Sequence, residues 1–393
     1  MGIAWIFVTA GLLLLLAAEH ILLRHARKQF FLVIHVNGTR GKSTVTRMIH
    51  ALLRCHGLEV FGKTTGSAAR YLLPDGSEKA ILRIGPANVR EQRNMMILSA
   101  FSKKRQKTAL VFECNAVRKE MQDISMQWLK PDITIITNVR EDHVQELGNT
   151  EQAAQVFAKA VPDNTVLVTS ENKFMGIWET AAKQKSLTLK FADPDEAENA
   201  SSAGFSENIA CVLAVADHLG IDRRQALESI AGHKPDTGAF GVYFWKTGSR
   251  SVFFADARAA NDIESTGRLA SIAFRDINPD GSIRRILLLI NREDRPDRTW
   301  LFLQYIIKQH KKEPFDQYLC LGHTPFSFRK KLKYEGLHYR ILRHIKDLDA
   351  VIEEAREQEV HILAAGNYGG AGKHITLWLQ DKKKEPDFRK NLQ

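Results

Sequence analysis

The chain opens with a long apolar stretch and then changes to short apolar runs separated by amphipathic segments. Residues 1–18 contain no charged side chain, and a helix of that length spans about 27 Å, close to the ~30 Å hydrocarbon core of a bilayer. Basic side chains follow at Arg24, Arg27 and Lys28, where lipid head groups would lie, and none precedes the run. The pattern predicts a single-pass anchor in the cell membrane over residues 1–28, with the bulk of the chain in the cytoplasm. A cleaved signal peptide and a buried core helix are the alternatives.

From residue 30 onward the apolar runs have the length of buried strands. The run at 30–36 is followed by a glycine-rich loop and then by an amphipathic segment, which is the order strand, loop, helix. Further strand-length runs, separated by helix-like segments, lie at residues 108–113, 133–139 and 165–169. This alternation predicts an α/β fold with a parallel sheet and crossover helices, and a nucleotide at the carboxyl ends of its strands.

A second, smaller α/β domain is expected after a linker at residues 233–241, which contains the turn-forming segment His233-Lys-Pro-Asp-Thr-Gly238. Four more strand-length runs follow, at residues 251–255, 285–291, 318–322 and 361–365. The predicted parts are a membrane anchor with a basic flank (1–28), a nucleotide-binding domain (29–232), the linker (233–241), a C-terminal α/β domain (242–380) and a basic tail (381–393).

Composition narrows the class of partner. The 393 residues are 44% hydrophobic and 26% charged, as in ordinary globular proteins. Lys and Arg number 56 against 45 Asp and Glu, a net charge of +11 that favours an anionic partner without choosing one. A nucleic-acid binder is disfavoured because basic and aromatic residues are not interleaved. Neither a disulfide framework nor a zinc cage is indicated by the scattered cysteines Cys55, Cys114, Cys211 and Cys320.

The glycine-rich loop has the parts of a phosphate site. Backbone amides at a helix N-terminus, a lysine and a magnesium-binding hydroxyl hold phosphate oxygens in such loops, and Gly41, Lys42 and Ser43 supply them here. The strict spacing is not met, because Val36 stands where its first glycine would be. A second loop at residues 62–66 contains Gly-Lys-Thr-Thr, which is similar to the Gly-Lys-Ser-Thr of the first loop. We interpret it as a substrate- or phosphate-facing loop beside the first.

The short loop resembles that of the Mur ligases and folylpolyglutamate synthases, ATP-dependent amide ligases that activate a carboxylate as an acyl phosphate. Glu113 falls where that superfamily has a magnesium-binding glutamate, and the segment Thr137-Asn-Val-Arg-Glu-Asp-His143 resembles its conserved T-N…D-H pattern. The resemblance implies ATP and Mg²⁺ as cofactors, Lys42, Glu113 and His143 as catalytic residues, and Ser43, Glu113 and His143 as metal ligands. The ATP-binding loop would comprise Gly38, Thr39, Arg40, Gly41, Lys42, Ser43 and Thr44.

A closer resemblance, covering nearly the whole chain, is to the ligase subunit of bacterial poly-γ-glutamate synthases, the PgsB/CapB family. It is carried by short blocks in register: residues 37–47, 62–66, 113–117, 141–143, 235–239, 259–266, 291–299 and 366–367. It implies ligation of glutamate into anionic poly-γ-glutamate, for capsule or secretion, with a multi-span membrane subunit as partner; a homo-oligomer is left open. Further nucleotide- or substrate-binding residues would be Asn261, Asp262, Arg292, Asp294 and Arg295, each of which could instead be a surface ion-pair residue.

The chemistry explains the basic residues of the loop. Triphosphate and carboxylate are both anionic, and two unit charges ~4 Å apart repel by about 4 kcal/mol at an effective dielectric constant near 20. Lys42, Arg40 and magnesium would offset that repulsion. Two departures are noted: Lys159 lies one place beyond the position of the superfamily's carbamylated lysine, and Phe240-Gly241 replaces the family's Met-Arg. Alternatives are glutamate ligation to another acceptor and a non-catalytic nucleotide-binding subunit of a membrane synthase.

Overall fold

The structure is a computed structural model. It describes residues 2–65, 69–83, 88–140, 144–197, 205–231, 240–258, 260, 263–273, 283–356 and 359–381. The chain divides into two compact units, residues 1–236 and 237–393. The predicted linker and basic tail lie almost entirely outside the described residues.

The apolar N-terminus forms a single helix, α1 (Gly2–Lys28). Its segment Trp5–Lys28 is long and apolar enough to cross a membrane, and almost every side chain between residues 5 and 18 is exposed. The alternative of a buried core helix is therefore wrong for this part of α1. Its last turns behave differently, since Leu23 and Ala26 are buried in the core of the first unit.

The first unit is a layered α/β fold built on one sheet. Its elements after α1 are β1 (Leu32–Asn37), α2 (Lys42–Cys55), β2 (Glu59–Thr64), β3 (Arg70–Leu72), β4 (Glu78–Ala80), α3 (Arg90–Ser102), β5 (Thr108–Glu113), α4 (Lys119–Leu129), β6 (Ile133–Ile136), α5 (Val144–Leu147), α6 (Thr150–Ala160), β7 (Val166–Thr169), α7 (Met175–Lys185), β8 (Thr188–Phe191), α8 (Ser206–His218) and α9 (Arg223–Ala231). In the described residues the strand order is β4-β3-β2-β5-β1-β6-β7-β8. All neighbours are parallel except β2–β3 and β3–β4, which confirms the predicted parallel sheet.

The register of the central strands brings the candidate residues to one edge. Val36 of β1 is paired with Glu113 of β5 and with Ile135 of β6. Because parallel strands end together, the residues that follow β1, β5 and β6 meet at the carboxyl edge of the sheet. Apolar clusters fill both faces: α2, α8 and α9 cover one, and α1, α3, α4, α6 and α7 contribute to the other.

The second unit is also an α/β sheet with helices. Its elements are β9 (Gly241–Thr247), β10 (Arg250–Asp256), α10 (Ile263–Ala273), β11 (Ile283–Asn291), α11 (Pro296–Lys312), β12 (Gln317–Gly322), α12 (Phe326–Tyr334), β13 (Tyr339–Leu342), α13 (Asp347–Glu354), β14 (Glu359–Gly366) and α14 (Gly372–Asp381). The described strands are ordered β13-β12-β11-β14-β10-β9, and only the β9–β10 hairpin is antiparallel. All four strands predicted for this part of the chain are confirmed as β10, β11, β12 and β14.

The strands absent from the sequence-based prediction lie mostly at sheet edges. Strands β4, β8 and β13 are short, and most of their residues are exposed or only half-buried. An edge strand has one neighbour and little apolar burial, so it leaves a weak hydrophobic pattern. Strand β9 begins at Gly241, the residue predicted to end the linker.

Candidate active site

The glycine-rich loop joins β1 to α2, which begins at Lys42. Two of its glycines, Gly38 and Gly41, have φ of +113° and +81°, values that residues with a side chain rarely adopt. A Cβ on Gly38 would also collide with Thr137, and one on Gly41 would collide with Asn208 of α8. Glycine is therefore required at both positions for conformational and for steric reasons.

The loop is fastened to the residues that follow β6. The Thr39 amide donates to the Asn138 carbonyl oxygen, and the Arg40 amide donates to the Asn138 side-chain oxygen, each at 2.9 Å. In return, the Thr137 hydroxyl donates to the Arg40 carbonyl oxygen at 2.5 Å. The Thr-Asn pair of segment 137–143 thus holds the loop in shape, a role that sequence reasoning did not assign to it.

The amides at the start of the loop are engaged within the protein. Besides those of Thr39 and Arg40, the Gly38 amide donates to Oδ1 of Asn37 at 2.8 Å. The first amides of any helix lack acceptors inside the helix and carry the positive end of its dipole. The part of this loop that could bind a phosphate is therefore the N-terminus of α2, where Ser43 and Thr44 lie.

Lys42 lies across the loop rather than pointing away from it. Its Nζ donates to the carbonyl oxygens of Gly38 and Thr39 at 2.7 and 3.0 Å. This position brings a cation to the same opening as the N-terminus of α2, where a terminal phosphate would need its charge offset.

Glu113, at the end of β5, is the centre of a polar cluster beside that opening. Its carboxylate accepts hydrogen bonds from the Ser43 hydroxyl (2.7 Å), the Thr65 amide (2.7 Å) and the Thr65 hydroxyl (2.6 Å). Only 2% of the Glu113 surface is exposed. The second loop, predicted to lie beside the first, therefore contacts the candidate metal ligand directly through Thr65.

The pair Ser43 and Glu113 fits a magnesium ion chemically. Both offer hard oxygen donors, and Mg²⁺ in phosphate sites usually takes one or two protein ligands while substrate phosphates and waters complete its octahedron. No three His, Cys, Asp or Glu side chains are grouped as a metal cage in the part of the chain that the structure describes. Two protein oxygens would suit a metal ion whose other ligands come from a phosphate substrate and water.

Lys63 of β2 is a second lysine near this cluster, and its surroundings differ from those of Lys42. Its side chain is completely buried, and its Nζ has no hydrogen-bond partner among the described residues. Its nearest counter-charge is Oε2 of Glu91 at 3.6 Å, and Glu91 is itself bound by Arg83 at 2.7 Å. Burial lowers the pKa of Lys63 to about 8, although Glu91 and Glu113 oppose that shift.

A chain of buried polar side chains connects the end of β5 at Glu113 with β1. Gln92 donates to the Glu113 carbonyl oxygen at 3.3 Å and accepts from the Ser125 hydroxyl at 2.5 Å, and Ser125 in turn lies 3.2 Å from Nε2 of His35. Burial, aided by Lys63, lowers the pKa of His35 to about 3, so its ring is neutral. Sequence reasoning missed Ser125 and His35. Ser125 could have been found as a polar residue on the apolar face of α4, and His35 as a polar residue inside the apolar strand β1.

The remaining predicted site residues are distributed as follows. His143, Asn261 and Asp262 lie outside the described residues. Arg292 forms a two-point ion pair with Asp294 at 2.8 and 2.5 Å, and Arg295 lies 3.4 Å from Asp297. The Asp294 and Asp297 side chains are mostly exposed. In the structure, Arg292 and Arg295 therefore form surface ion pairs with them, which is the alternative that the sequence left open. Lys159 is exposed on α6.

The second unit has its own buried polar group at the carboxyl edge of its sheet. Arg258 is 1% exposed, is bound to both oxygens of Asp256 at 2.7 and 2.6 Å, and lies 4.9 Å from the ring centroid of Tyr368. Asn291, at the end of β11, is 2% exposed, and neither amide atom of its side chain has a hydrogen-bond partner among the described residues. Sequence reasoning gave Asp256 and Arg258 no role.

Comparison with protein families identifies two matching models. Residues 36–216 match the Mur ligase middle domain, and residues 242–382 match the C-terminal domain of the poly-gamma-glutamate synthase CapB. The capsule biosynthesis protein CapB of Bacillus anthracis is 30% identical over 71% of this chain, and the alignment covers 61% of that protein, less than two thirds of its length. The PGA synthase CapB of Bacillus subtilis (strain 168) is 28% identical over 89% of this chain and 90% of its own length.

Solved structures show the same fold at low sequence identity. MurF from Acinetobacter baumannii superposes with a TM-score of 0.63 at 15% identity, over 93% of this chain and 80% of its own. E. coli FolC in complex with ADP has a TM-score of 0.64 at 16% identity, over 93% of this chain and 94% of its own. The two domain matches and the two CapB relatives point to the same family. The chain belongs to the CapB family of proteins with the Mur ligase fold.

Proposed function

We propose that this chain is the ATP-dependent amide ligase of a poly-γ-glutamate synthase. The observation that carries the proposal is the cluster at the N-terminus of α2, where Lys42, Ser43 and Glu113 meet at the carboxyl edge of a Mur-ligase-type sheet. The match to the C-terminal domain of the poly-gamma-glutamate synthase CapB supports the proposed substrate, a growing γ-linked glutamate chain.

The reaction has two steps. An oxygen of the terminal γ-carboxylate attacks the γ-phosphorus of ATP, the bond to the β-phosphate oxygen breaks, and ADP leaves with that electron pair. The amine of the incoming glutamate then attacks the acyl carbon, loses a proton and expels phosphate, so that one amide bond forms per ATP. Holding both anions in line is the task of the site, because positioning and charge stabilisation supply most of the rate in phosphoryl transfer.

Each residue at the edge has a defined part in this proposal. The first-turn amides of α2 and the Lys42 ammonium bind the phosphates, while Arg40 adds positive charge at the mouth of the loop. Ser43 and Glu113 would hold Mg²⁺, which would supply positive charge to offset that of the phosphates. Thr65 orients the Glu113 carboxylate through two hydrogen bonds. Gly38, Thr39, Gly41 and Thr44 shape and complete the loop.

His143 is proposed as a further metal or acyl-phosphate ligand. Residues of the second unit, namely Asn261, Asp262, Arg292, Asp294 and Arg295, are proposed to bind nucleotide or substrate. For Arg292 this means exchanging its Asp294 partner for a phosphate or carboxylate oxygen. The exchange costs little, because Arg292 is only half-buried and Asp294 is exposed.

The test is product analysis with the purified, membrane-embedded complex, ATP and glutamate. We expect ADP and a γ-linked polymer in proportion to each other. Binding of ATP without amide formation would instead indicate a non-catalytic assembly subunit, and ADP release that requires another acceptor would indicate a different ligase. Lys107→Ala, at an exposed lysine beside the amino end of β5, is the matched control for substitutions at Lys42.

We further propose that α1 anchors the chain in the membrane by a single pass, with the bulk in the cytoplasm and a multi-span subunit as partner in export. A lone helix cannot conduct a polyanion across a bilayer, so a partner with its own pathway is needed. The burial of Leu23 and Ala26 in the first unit supports retention of α1 over its removal as a signal peptide.

Two truncations test the anchor. Deleting residues 2–18 is expected to release a folded, soluble protein, because this part of α1 is exposed. Deleting residues 2–28 should also release it but lower the free energy of unfolding by at least about 3 kcal/mol, since Leu23 would be lost from the core. Membrane fractionation and thermal unfolding measure the two effects. Retention of the first truncation in the membrane fraction would contradict the anchor.

A further inference from the structure

Contacts at the C-terminal end of α1 fix where that end lies on the first unit. Arg27 donates to the Lys130 carbonyl oxygen at 2.9 Å and to Asp132 at 2.8 Å. Both residues immediately precede β6, and Asp132 also accepts from the amide of Val33 near the start of β1. The C-terminal end of α1 therefore lies at the amino edge of the sheet, the edge away from the phosphate loop.

Contacts two turns earlier lie closer to the opposite edge. Glu19 forms an ion pair with Arg93, in the first turn of α3. The adjacent residue Gln92 donates to the Glu113 carbonyl oxygen at 3.3 Å, at the carboxyl end of β5. Asn115, just beyond that end, donates to the Asn88 carbonyl oxygen that precedes α3. The Arg93 guanidinium also lies 5.6 Å from the ring centroid of Trp128 in α4, so Glu19 lies between the two edges, closer to the carboxyl edge than Arg27 does.

These two sets of contacts give α1 a direction. From Arg27 back to Glu19 the helix rises about 12 Å, most of the way along a six-residue strand of about 20 Å. The helix is uninterrupted, and its side chains between residues 5 and 18 are exposed. The exposed residues 5–18 therefore continue past Glu19 in the direction of the carboxyl edge.

We propose that the edge of the sheet that carries the phosphate loop faces the membrane and lies against anionic lipid head groups. This inference rests on the membrane anchor proposed above. The edge offers exposed basic side chains at the starts of α3 and α4, namely Arg90, Arg118 and Lys119. Basic residues near an anionic leaflet are attracted to it over about one Debye length. A polymer that grows at this edge is made next to the bilayer that it must cross.

Charge density alone would give the opposite orientation. The denser basic segment, residues 103–107, contains three lysines and an arginine. It lies at the amino edge, because the amides of Lys104 and Arg105 donate to Glu59, at the start of β2. In the proposed orientation this segment faces the cytoplasm. The two basic groups therefore form a matched pair for an experiment.

The experiment uses the full-length chain in vesicles of phosphatidylcholine and phosphatidylglycerol. Cys55, the exposed native thiol, is changed to Ser, and a fluorophore is attached at Glu120→Cys on the carboxyl edge or at Gln106→Cys on the amino edge, both exposed positions. A quencher on the lipid head groups is expected to quench the label at position 120 several-fold more than the label at position 106. Equal quenching, or stronger quenching at 106, would overturn the orientation.

Charge reversal identifies lipid as the occupant of this edge. Arg118→Glu with Lys119→Glu should weaken quenching at position 120 in anionic vesicles and leave it unchanged in pure phosphatidylcholine. Lys103→Glu with Lys104→Glu should change neither. Quenching at 120 that ignores the first pair, or that appears only after a membrane protein is added, would overturn the lipid contact.

The outcome is separable from the ligase and anchor proposals. Failure to float with vesicles refutes the anchor and with it the orientation, whereas flotation with equal quenching refutes the orientation alone. ADP release is measured independently, since none of the substituted residues belongs to the proposed catalytic machinery.

Discussion

Two stretches of the chain share the letters Gly-Lys-Ser/Thr-Thr, and the structure treats them differently. Gly41 and Lys42 stand at the N-terminus of α2, with φ of +81° at the glycine and the ammonium across the loop. Gly62 and Lys63 lie inside strand β2, and the lysine is completely buried without a hydrogen bond among the described residues. The letters alone do not determine a phosphate site; the element that follows them does.

The second stretch nevertheless serves the first. Thr65 follows β2 and binds the Glu113 carboxylate, which also accepts from Ser43. Lys63 adds positive charge behind Glu113 and Glu91. The comparison therefore separates a loop that we propose to contact phosphate from a loop that positions a carboxylate. Each of the following substitutions tests that separation.

The largest effect is expected at Lys42. Lys42→Ala should lower ADP release by about 10³-fold, because it removes the cation that offsets phosphate charge. The fold should persist, because the Lys42 ammonium is hydrogen-bonded to carbonyl oxygens of the loop rather than packed in the core. Lys63→Met should leave ATP affinity within a few-fold of the wild type. Nucleotide titration and ADP assays compare the two, with Lys107→Ala as control. Equal loss of ATP affinity in both variants would show that the second loop also binds nucleotide.

The sequence made this loop predictable because its signals are local. A strand-length apolar run, two glycines, a lysine and an amphipathic helix all lie within residues 30–53. Glu113 was predictable for a related reason, since it ends an apolar run and parallel strands end at a common edge. The central strands followed from the same pattern of buried runs.

The contacts that the sequence did not predict join residues that are far apart in the chain. Asn208 occupies the space beside Gly41, and Gln122 binds Asn37 at 2.8 Å from 85 positions away. Thr65 reaches Glu113 across 48 positions. Such contacts arise when separate helices and loops pack around one edge, and no local pattern encodes them. Edge strands such as β4 were not predicted, because too few of their residues are buried to give a clear hydrophobic pattern.

The next effect is expected at the carboxylate that the second loop positions. Glu113→Gln should lower the rate of ADP release by about 10²-fold and raise the magnesium concentration needed for half-maximal rate, because an amide is a poorer ligand for Mg²⁺ than a carboxylate. Thr65→Val should do the same to a smaller extent, because it removes the hydroxyl hydrogen bond to Glu113 and keeps the one from the backbone amide. A magnesium titration of each variant measures this. An unchanged magnesium requirement in Glu113→Gln would remove Glu113 from the metal site.

Lys63 should also make the stability of the protein depend on pH. Burial lowers the pKa of Lys63 from 10.5 to about 8, so between these values the unfolded chain binds the extra proton and stability rises with pH. Relative to Lys63→Met, the wild type should gain about 3 kcal/mol of unfolding free energy as pH rises from below 8 towards 10.5. Denaturant unfolding of both proteins across this range measures the gain. A constant difference between them would contradict the lowering of the Lys63 pKa by burial.

The smallest effects are expected at the two glycines, and they have different causes. Gly41→Ala combines a strained φ of +81° with a collision against Asn208, and should cost about 2 kcal/mol. Gly62 has no left-handed φ, and its Cβ would meet the Leu72 side chain at 2.8 Å, a flexible contact that can shift for about 1 kcal/mol. Gly57→Ala controls for φ alone, because Gly57 has φ of +80° and open space around it. If Gly41→Ala costs no more than Gly57→Ala, the collision with Asn208 contributes nothing, and the close packing of α8 on the phosphate loop does not constrain that position.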